Sequence, residues 1–445
     1  MPRRVVIVGA GLAGLAAAQA MAPRCPVEIL EARPRAGGRA SSFHDAASGA
    51  LLDACQHVSM GCCTNLAHFF RVLGLERMFA PQPVLRFVTP DGRASPFGAD
   101  RLPAPFHLAR SFLRAHYLTW MDKLRIGWGL MRLWLTPPAG DPPFAGWLAA
   151  HGQTAGTVER FWAVVLVSAL NEDPERVGLR SARKVFVDGF LSHPRGFEVQ
   201  VPAVPLGRLY GAELEGWLAR HGAQLRLGTA VRRLEMGKGR VVSALLRDGG
   251  RIEGDEFVLA VPFGRVLDLL PEEAASSPFF DGVRMLEPSP ITSVHLWHDR
   301  PVTALPHAVL VGCVGQWVFR RGETAPGEHY AQVVVSAARR FRGLGHDETA
   351  RLIEAELRAV FPEARGARLL RSRVVTEQAA TFSAVPGVDA LRPPQRTPWP
   401  NLWLAGDWTR TGWPATMEGA VRSGWLAAEG ILGKSGAFVR PGLPG

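Results

Sequence analysis

Three glycines and one acid, at set spacings, carry the first chemical signal. Gly9-Ala10-Gly11-Leu12-Ala13-Gly14 follows the β-branched run Val5-Val6-Ile7-Val8 and leads into Leu15-Ala16-Ala17-Ala18-Gln19-Ala20-Met21, a helix-forming stretch. Each glycine has its own task in such a turn. Gly9 reverses the chain, Gly11 lets the backbone approach a pyrophosphate, and Gly14 lets the helix lie close on the strand. The phosphates then meet the helix N-terminus, whose free N–H groups and dipole favour anions. A second strand, Val27-Glu28-Ile29-Leu30, ends at Glu31. A carboxylate there accepts hydrogen bonds from both ribose hydroxyls and repels the extra phosphate of NADP. Strand, helix, strand and acid in this order predict a dinucleotide site.

Ala32 and Arg33 follow the acid, and then comes Gly37-Gly38-Arg39. A glycine pair permits close backbone approach, and Arg39 offers a fixed cation to a pyrophosphate or a flavin edge; the alternative is a surface turn with a solvated arginine. At the far end, 401–407 (NLWLAGD) reads as a buried strand ending in Gly406-Asp407, and Pro414-Ala415-Thr416-Met417-Glu418-Gly419-Ala420 opens another helix. With these motifs the sequence resembles the flavin amine oxidase and phytoene desaturase superfamily. The resemblance implies FAD as cofactor. It places Asp407 at the ribityl or phosphate portion, Thr416 and Met417 at the isoalloxazine, and Val231, in the strand segment 225–234 (LRLGTAVRRL), at the adenine. Gly9, Gly11, Ala13, Gly14, Glu31, Ala32, Arg33, Gly38, Arg39 and Gly406 complete the expected cofactor contacts.

These motifs need a scaffold that brings distant segments together. The chain has 445 residues, beyond the roughly 250–300 at which one core stops growing, so two domains are expected. The fold class predicted is α/β: a Rossmann-like FAD-binding domain of the glutathione-reductase-like kind, with an interleaved α+β substrate domain. The cofactor domain is discontinuous, over 1–80, 200–265 and 395–435. The substrate or membrane-facing domain spans 81–199 and 266–394, with strands expected at 291–297 and 331–336. The segment after Leu432 is expected to fray.

Three features narrow the substrate. The stretch 284–301 contains no Lys, and Ala415-Thr416 stands where an aromatic cage would need Tyr; superfamily amine oxidases commonly carry both, so oxidation of a free amine is disfavoured. The segment 101–136 holds six basic residues (Arg101, Arg110, Arg114, Lys123, Arg125, Arg132) and one acid, Asp122, among many aromatic and aliphatic side chains. Phe112, His116, Trp120 and Leu124 recur every four residues, as on one helical face. Two readings stand: a helix resting on an anionic bilayer with its arginines snorkelling, or a core-facing helix with a solvated basic side. Third, Asp53 and His57 lie four apart in a run the superfamily passes near the isoalloxazine. They are the catalytic candidates, His57 as proton donor; the plainer alternative is a turn cap and a satisfied polar residue. His295 and His298 would face opposite sides of a strand, so no metal site is expected.

Composition sets the outer limits. Lys+Arg number 51 against 40 Asp+Glu, net +11, yet only four of the basic residues are Lys. Nucleic-acid binding would cluster arginines with stacking aromatics along a groove, and here they are mostly scattered. Five cysteines without a CxxC pair imply neither a disulfide framework nor a zinc site. The glycine fingerprint argues against reading the N-terminus as a secretion signal, and no apolar run reaches membrane-spanning length. A cytoplasmic protein is expected, peripheral on the inner face of the cell membrane.

The runs DACQHVSMGCCTN (53–65), SPITSVHLW (289–297), TEQAATF (376–382) and GDWTRTGWPATMEGAVRSG (406–424) are narrower. They resemble the hydroxysqualene dehydroxylases, the squalene-associated FAD-dependent desaturase family of bacterial hopanoid synthesis, to about residue 432. That resemblance implies reductive removal of an allylic hydroxyl from a long-chain isoprenoid, with an external electron donor. A carotenoid or phytoene-type desaturase and a non-catalytic lipid-binding flavoprotein are the alternatives.

Overall fold

The computed structural model describes residues 3–443. At its centre, five strands form a wholly parallel sheet in the order Ala223–Arg226, Val27–Leu30, Val5–Val8, Glu256–Leu259, Leu402–Leu404. All residues of the four strands from Val27–Leu30 to Leu402–Leu404 in this row are buried. A parallel sheet covered on both faces demands such continuous apolar runs rather than alternation. On one face the Leu12–Met21 helix packs against the Met417–Leu432 helix so closely that a Cβ on Gly424 would lie 2.1 Å from the Ala13 carbonyl oxygen. This is the expected Rossmann-like architecture, and its strands come from both ends and the middle of the chain.

A seven-stranded sheet forms the second body, in the order Leu369–Phe382, Pro288–His298, Glu328–Val335, Trp317–Ala325, His307–Leu310, Val84–Val88, Ala94–Gly98. The segments expected as strands at 291–297 and 331–336 are neighbours in it, with Val294 opposite Val333. The His346–Val360 helix closes one face through Ile353 and Leu357. Helices between 109 and 191 gather around Trp162, Phe144 and Phe186 as a separate apolar cluster.

Three local expectations are corrected. The segment 225–234 is not one strand: Ala223–Arg226 ends in the parallel sheet, Gly228 turns the chain at φ +65, and Val231–Gly237 joins an antiparallel sheet. Phe112, His116, Trp120 and Leu124 do not share one helix, because Ala109–Arg114 stops and a new helix begins at Trp120. Thr119 and Asp122 make a reciprocal capping box there, which satisfies two otherwise free N–H groups and favours a fresh start over continuation. The segment after Leu432 is held down rather than frayed. The Glu429 carboxylate accepts N–H groups of Gly436, Phe438 and Val439 at 3.0, 2.8 and 3.0 Å, and Asn65 Oδ1 accepts that of Arg440 at 2.7 Å. No helix among the described residues is long and apolar enough to cross a membrane.

Candidate active site

The glycine turn sits where the first strand meets the Leu12–Met21 helix. Gly9 has φ +108, and a Cβ on Gly14 would lie 2.0 Å from the Gly9 carbonyl oxygen, so strand and helix touch only because both are glycine. Gly11 differs: a Cβ there would meet nothing nearer than Gly38 Cα at 3.9 Å. Internal packing does not require glycine at Gly11, and the open space beside it lies at a helix N-terminus that no side chain caps. The Gly37-Gly38 turn lies against this loop, with the Gly37 N–H donating to the Ala10 carbonyl at 2.8 Å.

Glu31 is 8% exposed at the end of its strand. Ala10 N–H donates to its Oε2 at 2.8 Å and Arg33 N–H to its Oε1 at 2.9 Å. Two backbone donors thus fix the carboxylate beside the glycine loop, leaving lone pairs for hydroxyl donors. The exposed Arg33 side chain reaches the Gly38 carbonyl at 3.3 Å, and Ala32 is exposed beside it. Val231 is buried at the start of its strand. The Ala13 methyl is buried between helices, so its offering to a ligand is the backbone N–H of the helix's first turn.

Arg39 is not a free cation. Its Nη2 donates to Asp407 Oδ1 at 2.6 Å and its Nη1 to the Ala380 carbonyl at 2.6 Å. The two motifs expected to meet the cofactor separately are therefore one ion pair, with one Asp407 oxygen committed. Thr416 caps the Met417–Leu432 helix, accepting the Gly419 N–H at 3.1 Å and donating to the Pro414 carbonyl, so its hydroxyl is largely spent. Met417 is half-buried at the helix start.

Asp53 is buried at the end of Leu51–Asp53. Ser42 Oγ–H and the Leu206 N–H each donate to its Oδ1 at 2.7 Å. Burial nevertheless raises its pKa above the usual carboxylate value, against the lowering effect of these bonds. His57 behaves oppositely. Burial lowers its pKa, and its Nδ1–H donates to the Cys55 carbonyl at 2.8 Å, which leaves Nε2 as an acceptor. A neutral ring in this tautomer offers Nε2 as a proton acceptor, whereas the proton-donor role expected of His57 needs the protonated ring. His295 Nδ1 meets Tyr330 Oη and His298 Nε2 meets Glu354 Oε2, each at 2.8 Å, so they serve separate pairs.

Val58 and Met60, which follow His57 in the chain, pack in one apolar cluster with Phe112, Tyr117, Val164 and Phe190. These last four residues also line a cavity of about 360 Å³ whose only charged lining residue is Arg160.

The flavin containing amine oxidoreductase family model matches residues 12–432. The chain belongs to that family. A hydroxysqualene dehydroxylase of Sinorhizobium fredii is 30% identical over 98% of this chain and 100% of that protein. A 15-cis-phytoene desaturase of Solanum lycopersicum is 28% identical over 97% of this chain and 78% of that protein. An oxidoreductase structure from Methanosarcina mazei, 17% identical, superposes with a TM-score of 0.73 over 96% of this chain and shares the fold.

The cofactor of this flavin oxidoreductase is FAD, and the observed residues fit it: space at Gly11, an uncapped helix N-terminus, and a fixed acid for ribose hydroxyls. Two contributors had no sequence signal. Arg392, 2% exposed, donates from Nη2 to the Asp407 and Thr409 carbonyls and to Thr411 Oγ1, at 2.9, 2.6 and 2.9 Å, holding the loop after Gly406. Ser423 Oγ accepts the Gly406 N–H at 2.7 Å. Both lie within irregular or helical runs where nothing in the spacing sets them apart.

Proposed function

We propose that this flavin oxidoreductase reductively removes the allylic hydroxyl of hydroxysqualene, giving squalene and water. The observation that carries this reading is the apolar cavity lined by Phe112, Tyr117, Val164 and Phe190, which suits a long hydrocarbon and offers little to a polar substrate. The full-length similarity to a hydroxysqualene dehydroxylase supports it. Bound FAD supplies the two electrons, replenished by an external donor. Gly9, Gly11, Gly14 and the Ala13 N–H are proposed to meet its pyrophosphate and Glu31 its ribose, with the Arg39–Asp407 pair at its ribityl portion.

The chain's own residues have three tasks. A leaving hydroxyl must be protonated, and Asp53, whose pKa burial raises and whose Oδ2 is not used by the two anchoring donors, is the proposed acid. The apolar walls keep water from recapturing an allylic cation. The exposed side of 101–136 is proposed to face the inner surface of the cell membrane.

Polyene desaturation is the second reading. The neutral His57 favours it, because an acceptor nitrogen suits proton removal. One experiment separates the readings: photoreduce the holoenzyme anaerobically, add hydroxysqualene, and follow flavin absorbance while identifying products. Reoxidation with squalene formation is expected. Failure there, with reduction of the oxidised enzyme by phytoene, selects desaturation. Silence with both leaves a lipid-binding flavoprotein.

A further inference from the structure

The Thr64–Leu73 helix begins without a cap of its own. Cys63 stands at the N-cap position, makes no capping bond, and no acid lies in the first turn. The free N–H groups of a helix start need acceptors, and a buried start without them is costly. Here the acceptor comes from 353 positions away. Glu418, 0% exposed on the first turn of the Met417–Leu432 helix, takes the Asn65 N–H at 3.2 Å and the Asn65 Nδ2–H at 2.7 Å on Oε1. Its Oε2 takes the Leu66 N–H at 2.8 Å. All three partners are donors, which matches an ionised carboxylate. Burial raises the Glu418 pKa, opposed by these bonds and by the Arg422 cation.

Its own helix does not need this carboxylate, because Thr416 already caps that helix through the Gly419 N–H. Glu418 instead ties two helix starts together. The helices meet again further along, where the His68 and Trp425 rings lie 5.6 Å apart. On the Thr64 side the preceding chain is held at each step. The Cys63 N–H donates to the Met60 carbonyl at 2.9 Å and the Cys62 N–H to the Gly196 carbonyl at 3.0 Å, while Ser59 and Met60 pair with Gln200 and Val199. His57 lies just before that strand. A shift of the Thr64 helix start is thus passed back toward His57 and is not absorbed by a loose loop.

We infer that Glu418 is a positioning residue, whose carboxylate fixes the run from His57 to Asn65 against the helix start that carries Met417. Three bonds converging on one rigid group set a distance, because each weakens steeply away from its preferred geometry. With its carboxylate committed to these donors, Glu418 acts through Met417 and His57. The inference rests on the FAD reading above, with Met417 at the isoalloxazine; the tether between the helix starts does not.

Glu418→Ala and the double variant Glu418→Ala/Cys63→Ser separate a tether from a plain helix cap. A hydroxyl in place of the Cys63 thiol can cap the Thr64 helix locally, but it gives no link to the Met417 helix. Glu418→Ala should melt lower, exchange its amides faster across 57–66 when saturated with FAD, bind FAD at least about tenfold more weakly and show a shifted flavin absorbance. The double variant should regain most of the melting temperature while its flavin absorbance and weak FAD binding stay as in Glu418→Ala. Glu418→Gln, which keeps the volume and one acceptor oxygen, should show the same pattern more mildly and serves if Glu418→Ala does not fold. Exchange across 57–66 as slow as in wild type would overturn the tether. Unchanged flavin absorbance and FAD affinity in Glu418→Ala, or their recovery together with the melting temperature in the double variant, would overturn the positioning role. Met417→Leu reads the cofactor placement separately: it should shift the flavin absorbance, and if it does not, that placement fails while amide exchange still decides the tether.

Discussion

Arg39 and Asp407 are 368 positions apart in the chain and 2.6 Å apart in the fold. Their ion pair fastens the second glycine turn to the Gly406-Asp407 turn. Removing one partner leaves the other charge largely desolvated, which costs more than the pair contributes.

Arg39→Ala and Asp407→Ala should each weaken FAD binding at least about tenfold and lower the melting temperature, and the double variant should be little worse than either single one. Reconstitution of apoprotein with FAD, followed by flavin fluorescence, reads this coupling. Additive losses would mean that the two residues act separately.

Gly11→Ala and Gly14→Ala should fail in different ways. Alanine at Gly11 fits the protein, with 3.9 Å to the nearest atom, so the apoprotein should melt as wild type does while FAD affinity falls at least about tenfold. Alanine at Gly14 would place its Cβ 2.0 Å from the Gly9 carbonyl oxygen, and the variant should be destabilised with or without FAD. Melting curves with and without added FAD distinguish the two.

Asp53 and His57 make opposite predictions for pH. An acid works while protonated, so a step that needs Asp53 should slow as pH rises through its raised pKa, and Asp53→Asn should lose that limb and about a hundredfold in rate. His57 is neutral above its lowered pKa. His57→Ala should therefore leave the alkaline limb in place and retain FAD. The measurement is the pH dependence of flavin reoxidation by hydroxysqualene in stopped flow.

His295 should make the fold acid-sensitive. Burial pushes its pKa from 6.5 down to about 4, so the unfolded chain binds its proton first as pH falls. Its contribution is complete above pH 6.5 and declines toward pH 4, by up to about 3 kcal/mol. Urea midpoints at pH 7.5 and 5 should differ for wild type, and the difference should shrink in His295→Gln.

What the sequence disclosed follows from the range of each interaction. The glycine turn, Glu31 and the buried strands are written in local spacing, because backbone sterics and two-sided burial constrain adjacent residues directly. The capping box at Thr119 and Asp122 was equally local, but a four-residue periodicity across 112–124 masked it. Arg392 and Ser423 bond to residues 15 to 19 positions away across loops, and Glu429 to residues 7 to 10 positions on, beyond helical or strand periodicity, so each looks ordinary until the fold supplies its partners. The protonation of His57 depends on burial and on a bond to the Cys55 carbonyl, so its residue type alone did not disclose it.

The packing of the Leu12–Met21 helix against the Met417–Leu432 helix has a consequence for biosynthesis. Gln19 and Trp425, 406 positions apart, share a hydrogen bond of 3.0 Å across that contact. During translation the Leu12–Met21 helix leaves the ribosome about 400 residues before the Met417–Leu432 helix that covers it. Until that second helix emerges the nascent chain carries an uncovered alanine-rich face, a setting in which exposed apolar surface invites chaperones. A ribosome that stalls before residue 417 leaves a product in which this face stays uncovered.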